Sequence, residues 1–258
     1  MKLASLRSAQ VVLLIAALAM PLVAQWKNLP MNGPKKADGS LDLAGPAPKT
    51  ADGKPDFSGI WEQADLKYFR NLAVDMKPEE VPMRPEAKSI LQARTNGALG
   101  NQEPDANCLP QGVPKINGAP VPFKIVQTPN LVMFVYEAFN LWRQVHMDSR
   151  ELVDDPNPTW LGWSKGHWDG EALVIETRGF NGKAWLDTAG HPASDALHVT
   201  ERLRRPSFGR IEMQITIDDP KMYTRSWTAN EVLKLVTDTD LYEFVCLENE
   251  RDLKHMNK

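Results

Sequence analysis

The sequence has only two cysteines, one long apolar run and none of the short motifs that mark the commoner enzyme chemistries. No G-x-S-x-G elbow is present, so serine chemistry of the hydrolase type lacks its turn. No glycine-rich phosphate loop and no βαβ alternation occur, which argues against a nucleotide-binding α/β fold. The chain also lacks HExxH, CxxC and His-x-His, the spacings that mark common metal centres. No cofactor is therefore expected. A divalent metal could be held only by ligands scattered among His146, Asp148, Asp187, His191, His198 and Glu201. A basic stripe is missing too: 30 Lys and Arg face 33 Asp and Glu, and Arg202, Arg204 and Arg205 form the one dense cluster. Nucleic acid is thus not the expected partner.

The one long apolar run, residues 11–20, follows Lys2 and Arg7 and ends at Pro21. Ten apolar residues fall short of the roughly 20 that span a bilayer. Residues 1–24 therefore read as a secretory signal, with cleavage after Ala24. No cysteine follows the run to carry a lipid. The mature chain would be periplasmic or secreted, with no stable membrane insertion. Cys108 and Cys246 would then mature where disulfides persist. A bridge between them closes a loop worth up to about 5 kcal/mol in the chain-entropy model.

Residues 25–56 are rich in Pro, Gly, Asp and Lys and read as an extended arm or linker. A single domain is expected over 57–258, interrupted by an irregular insertion at 64–121. Within that insertion, 85–94 reads as a helix with proline in its first turn and Gly97 beyond its end. A long proline-rich excursion follows, and loops of this size are commonly covers or lids. Strands are expected at 57–61, 123–127, 131–136, 141–148, 162–168, 172–178, 196–204, 210–218, 222–228, 232–236 and 241–247. The turn at Asp169-Gly170 marks a hairpin. The fold class is mainly β: an antiparallel meander closing into a lipocalin-like barrel, with one short helix.

Residues 142–205 hold five of the eight tryptophans and four of the five histidines. Aromatic surface with titratable groups is the material of a small-molecule site. Leu197, Val199 and Leu203 share a strand face with Glu201, so an apolar interior would contain a carboxylate. Such a group needs a partner or a proton. His146 and Asp148, two apart, share a face that is either an oriented acid–base pair or a polar outer wall. Asp187 and His191 lie in a turn-rich loop, as a half-site or as a capped turn. Glu201, His191, Asp187, His146 and Asp148 are the candidate catalytic groups. Trp163 and Trp185, beside turns, are candidate stacking surfaces. Trp61 and Arg202 complete the candidate ligand-binding set.

The segments Gly59-Ile60-Trp61, Cys108-Leu109-Pro110-Gln111-Gly112, Pro122-Phe123-Lys124-Ile125-Val126-Gln127-Thr128-Pro129, Trp185-Leu186-Asp187 with Gly190-His191-Pro192, Thr200-Glu201-Arg202 and Val245-Cys246-Leu247-Glu248 together resemble a group of exported proteins of soil bacteria. The resemblance spans nearly the whole mature chain and implies the disulfide, since both cysteines lie within it. It implies no settled activity. The chain departs from it at Ala193, where a second histidine is common. A fainter likeness to lipocalin-like (calycin) barrels rests on Gly59-Ile60-Trp61 and on Trp168-Asp169-Gly170-Glu171-Ala172-Leu173. It implies a ligand cavity and no reaction.

These observations point to an exported small-molecule enzyme using general acid–base chemistry (a lyase, isomerase or hydrolase). Its partner would be a small polar or aromatic molecule. A non-catalytic periplasmic ligand-binding barrel is the alternative, and a cell-envelope structural module is the third reading.

Overall fold

The computed structural model describes residues 31–152 and 157–246. The signal segment expected at 1–24 and the first residues of the arm lie outside the described residues. Nine strands form a closed barrel in sequence order. They are β1 (Gly59–Gln63), β2 (Phe123–Gln127), β3 (Leu131–Tyr136), β4 (Trp142–His146), β5 (Trp163–Asp169), β6 (Ala172–Arg178), β7 (His198–Ser207), β8 (Arg210–Asp218) and β9 (Trp227–Val236). β1 pairs with both β2 and β9, so no sheet edge is left between first and last strand.

Period-two alternation sorts the side chains. On β8, Ile211, Met213, Ile215 and Ile217 are almost wholly buried, while Glu212, Gln214 and Thr216 lie on the other face. Across from them, Val199, Glu201, Leu203 and Arg205 of β7 point the same way, as do Leu173, Ile175 and Thr177 of β6. Trp61, Phe123, Phe134 and Tyr136 supply the aromatic part of this interior. The barrel is therefore filled by side chains, as a small barrel can be.

The meander has one exception. β4 and β5 are parallel, joined by only two register pairs, Val145 with Ser164 and His146 with Lys165. A tight hairpin cannot make a parallel pair; the chain must return to the strand's starting end, which it does through residues 147–162. The expected strands at 222–228 and 232–236 are one strand, β9, beginning at Trp227. Residues 222–224 instead bond with 82–84, through Arg84 N–H to the Met222 carbonyl and Thr224 N–H to the Pro82 carbonyl. The strand expected at 241–247 is not formed over 241–246. Barrel closure has used the strand edges, so this segment is held outside by the Lys124–Asp240 ion pair and by Asn140, which bonds both N–H and C=O of Phe244.

Among the described residues the α-helices are two rather than one: α1 (Lys67–Arg70) and α2 (Pro85–Thr95). Strand alternation places three long connections, 64–122, 179–197 and 219–226, at one barrel end, while 147–162 runs between the two ends. There the 3-10 turn Lys115–Gly118 is buried throughout and sends Asn117 inward. The disulfide Cys108–Cys246, with Cα atoms 5.7 Å apart, ties this cover to the segment after β9. At the opposite end the arm is docked: Phe208 N–H bonds the Gly45 carbonyl, Gly209 N–H the Leu43 carbonyl, and Arg205 the Asp56 carbonyl.

Candidate functional site

Three groups of side chains carry chemical potential, and all lie toward the covered end. The first is inside the barrel. Glu201 is 0% exposed and meets Arg143 from β4. Arg143 Nη2 donates to Glu201 Oε2 at 2.5 Å and Nη1 to Oε1 at 3.2 Å. Its Nε donates to Ser164 Oγ and its Nη2 also to Thr177 Oγ1. Asn117 Nδ2 donates to Glu201 Oε1 at 2.6 Å, and Asn117 Oδ1 accepts from the Tyr136 hydroxyl. Burial opposes the charge on Arg143, but Glu201 and Tyr136 together outweigh it and hold the guanidinium above its ordinary value. A two-point guanidinium–carboxylate pair with every neighbour satisfied is a rigid structural unit. A second interior carboxyl, Glu231, accepts from Gln63 Nε2 at 2.5 Å. Burial first, and then the negative charge of Glu201, push its pKa up to about 8. A carboxyl with that pKa is protonated at neutral pH.

The second group is the Asp187–His191 loop. His191 Nδ1 lies 2.6 Å from Asp187 Oδ2, and both residues are buried. Asp187 also accepts the backbone N–H groups of Leu72, Gly190 and His191. One carboxylate thus orients the imidazole and pins the loop to the cover. The sequence favours this turn because Gly190 has φ +99°, a conformation open to glycine. Trp185 is buried under the Arg94 guanidinium at 4.3 Å.

The third group is on the outer wall. Where β4 and β5 splay apart, a cleft of about 390 Å³ opens. It is lined by Pro110, Leu141, Trp142, Trp160, Leu161 and Trp163, with Gln144, His146 and Thr159 as its polar members. Trp142 is 58% exposed and Trp163 43%. Gly162, at φ +67°, turns the chain into β5.

The structure brings Asp187 and His191 together, and places His146 and Trp163 on the same cleft. His146 lies on the outer face of β4 at the cleft. Burial, and then the nearby Arg150 charge, lower its pKa, so it is neutral at pH 7. Asp148 forms an exposed two-point pair with Arg150, which holds its pKa at about 2. Arg202 points outward and pairs with Asp169 rather than with Glu201. Trp61 is fully buried, its indole N–H on the Phe57 carbonyl. Cys108 and Cys246 are bonded to each other. Among the described residues, no three His, Cys, Asp or Glu side chains are grouped so as to hold a metal, and no helix is long and apolar enough to cross a membrane.

Sequence reasoning did not single out Arg143, Asn117, Glu231, Arg94 or Trp142. A signal did exist for Arg143: it shares strand parity with Leu141, Val145 and Met147, a polar residue within an apolar face, as Glu201 is on β7. Asn117 carried none, because loop contacts have no period.

No protein-family model and no curated protein matches the chain. Among solved structures the chain is similar to a secretary abundant heat soluble (SAHS) protein from Ramazzottius varieornatus, at 11% identity. The match covers 70% of this chain and 95% of that one, with a TM-score of 0.32. A likeness of that size carries no argument about what this chain binds or does.

Proposed function

We propose that the protein is an exported, non-catalytic binding barrel whose site is the tryptophan cleft between β4 and β5. Its ligand is a small ring compound that can stack on an indole and hydrogen-bond at its edge, a phenol or a sugar. The exposed indoles of Trp142 and Trp163 in a concave cleft carry this reading. Contiguous apolar surface of this kind marks a binding site, and indole faces stack on rings. Gln144, Thr159 and the neutral His146 offer donors and acceptors to the ligand's edge. The acid–base reading of Glu201 is less well supported. That carboxylate is wholly buried, and Arg143 and Asn117 engage its oxygens. We assign it to holding the barrel together. Export is supported by the disulfide, which persists in oxidising compartments, and by the signal-like character of residues 1–24.

Tryptophan fluorescence titration with a panel of phenols and monosaccharides tests the cleft. A saturable change is expected, and W142A and W163A should each weaken it about 3- to 10-fold, the size of one aromatic contact. Binding unchanged in both variants would refute the cleft. A turnover of any panel compound that is abolished in a folded E201Q variant would restore the acid–base reading.

A further inference from the structure

The cleft makes no use of Arg94, Trp227 and His191. Arg94, near the end of α2, gives one hydrogen bond, from Nη1 to the Gly190 carbonyl at 3.0 Å. Among the described residues no carboxylate is paired with it. Asp187 and Glu103 act on it only through longer-range attraction. Its Nε is buried and has no hydrogen-bond partner. Trp227 is 3% exposed, and its indole N–H is likewise buried without a partner. The Trp227 ring lies 6.2 Å from His191 and 5.5 Å from Tyr223. His191 commits Nδ1 to Asp187, which leaves Nε2 for another group. These side chains form one neighbourhood, since Arg94 seats on Gly190 and Trp185 while His191 follows Gly190 directly.

The unmet demand here has one sign. Both orphaned atoms are N–H donors, and among the described residues the cation beside them has no carboxylate in direct ion-pair contact. Asp187 cannot meet that demand, because four N–H groups already occupy its two oxygens. Arg94 itself is half-buried, but its Nε and the Trp227 indole N–H are buried donors without acceptors, a costly arrangement. A carboxylate is an acceptor-only group with two oxygens and a single charge. It matches one guanidinium and two donors. A phosphate dianion would bring a second negative charge toward Asp187 and Glu103.

We infer that Arg94, Trp227 and His191 form a second binding site, for a small monocarboxylate, beneath the cover of the barrel. The planar guanidinium faces one carboxylate oxygen from Nε, and the Trp227 indole N–H and His191 complete the recognition.

The test is nuclear magnetic resonance of the 15N-labelled full chain, following the indole N–H signals during titration with sodium acetate and, separately, with sodium phosphate. The Trp227 signal is identified by its loss in W227F. Acetate should move it saturably, leave the Trp142 and Trp163 signals in place, and lose this effect in R94Q. R94K keeps the charge without the Nε donor and should weaken acetate about 10-fold; it carries the test if R94Q does not fold. No saturable movement with acetate, or the same affinity in R94Q or R94K as in the parent, overturns the site. Phosphate saturating as tightly as acetate overturns the carboxylate assignment. Ring ligands that move Trp142 and Trp163 alone leave this site and the cleft as independent results.

Discussion

At the scale of single residues, burial and charge separate the two interior carboxyls. Glu201 has a cation and Glu231 has an amide. The difference is readable in solution. Glu231 has a folded-state pKa of about 8 against an ordinary value of 4.5. Between those values the folded state holds a proton that the unfolded state has lost. The stabilisation that Glu231 contributes should therefore be complete at and below pH 4.5, be lost as pH rises through the window, and be gone above about 8. E231Q has no proton to lose, so melting temperatures of the two proteins from pH 5 to 9 should diverge, with the variant flatter. Parallel curves would show that Glu231 is ionised in the fold. Asp148, with its pKa held near 2 by Arg150, titrates outside this range and does not obscure it.

Among the elements, the parallel β4–β5 pair decides where a cleft can exist. Two register pairs hold this seam, whereas β7 and β8 share eight. The chain reaches β5 through Gly162, whose added Cβ would lie 2.7 Å from Thr177 Cγ2 and 2.9 Å from the Arg178 carbonyl oxygen. G162A therefore combines a left-handed backbone with a steric clash. It should cost about 1–3 kcal/mol in chemical denaturation and weaken ring-ligand binding with it. A variant of parental stability would show that the bend does not depend on glycine. The remaining seams are antiparallel, and their alternation was legible from residues such as Ile211, Met213, Ile215 and Ile217. The parallel pair was not, because strand direction depends on which end the chain returns to, and residues 147–162 carry no periodic sign of that.

For the whole molecule, the disulfide joins the cover to the segment after β9 across 138 residues of sequence. Pro110 of the cleft lies two residues from Cys108. Replacing both cysteines, as C108S/C246S, should lower stability by about 2–5 kcal/mol. It should also weaken the cleft ligand, since one wall loses its tether. Equal stability and binding with and without the bridge would detach the cover from both roles.

The chain's own pattern decided that this is a β protein with Glu201 facing inward. Alternation is a property of neighbours, and Leu197, Val199 and Leu203 lie within four residues of that glutamate. The two cysteines pointed to their pairing for the same reason of economy, as there was no other partner to choose. Tertiary structure alone decided that Glu201 meets Arg143, that Asn117 reaches in from a loop to join them, and that Arg94 comes to rest over Trp185 without a counter-ion. Those contacts join segments tens of residues apart, brought together by barrel closure, and no local spacing encodes a meeting between chain segments so far apart.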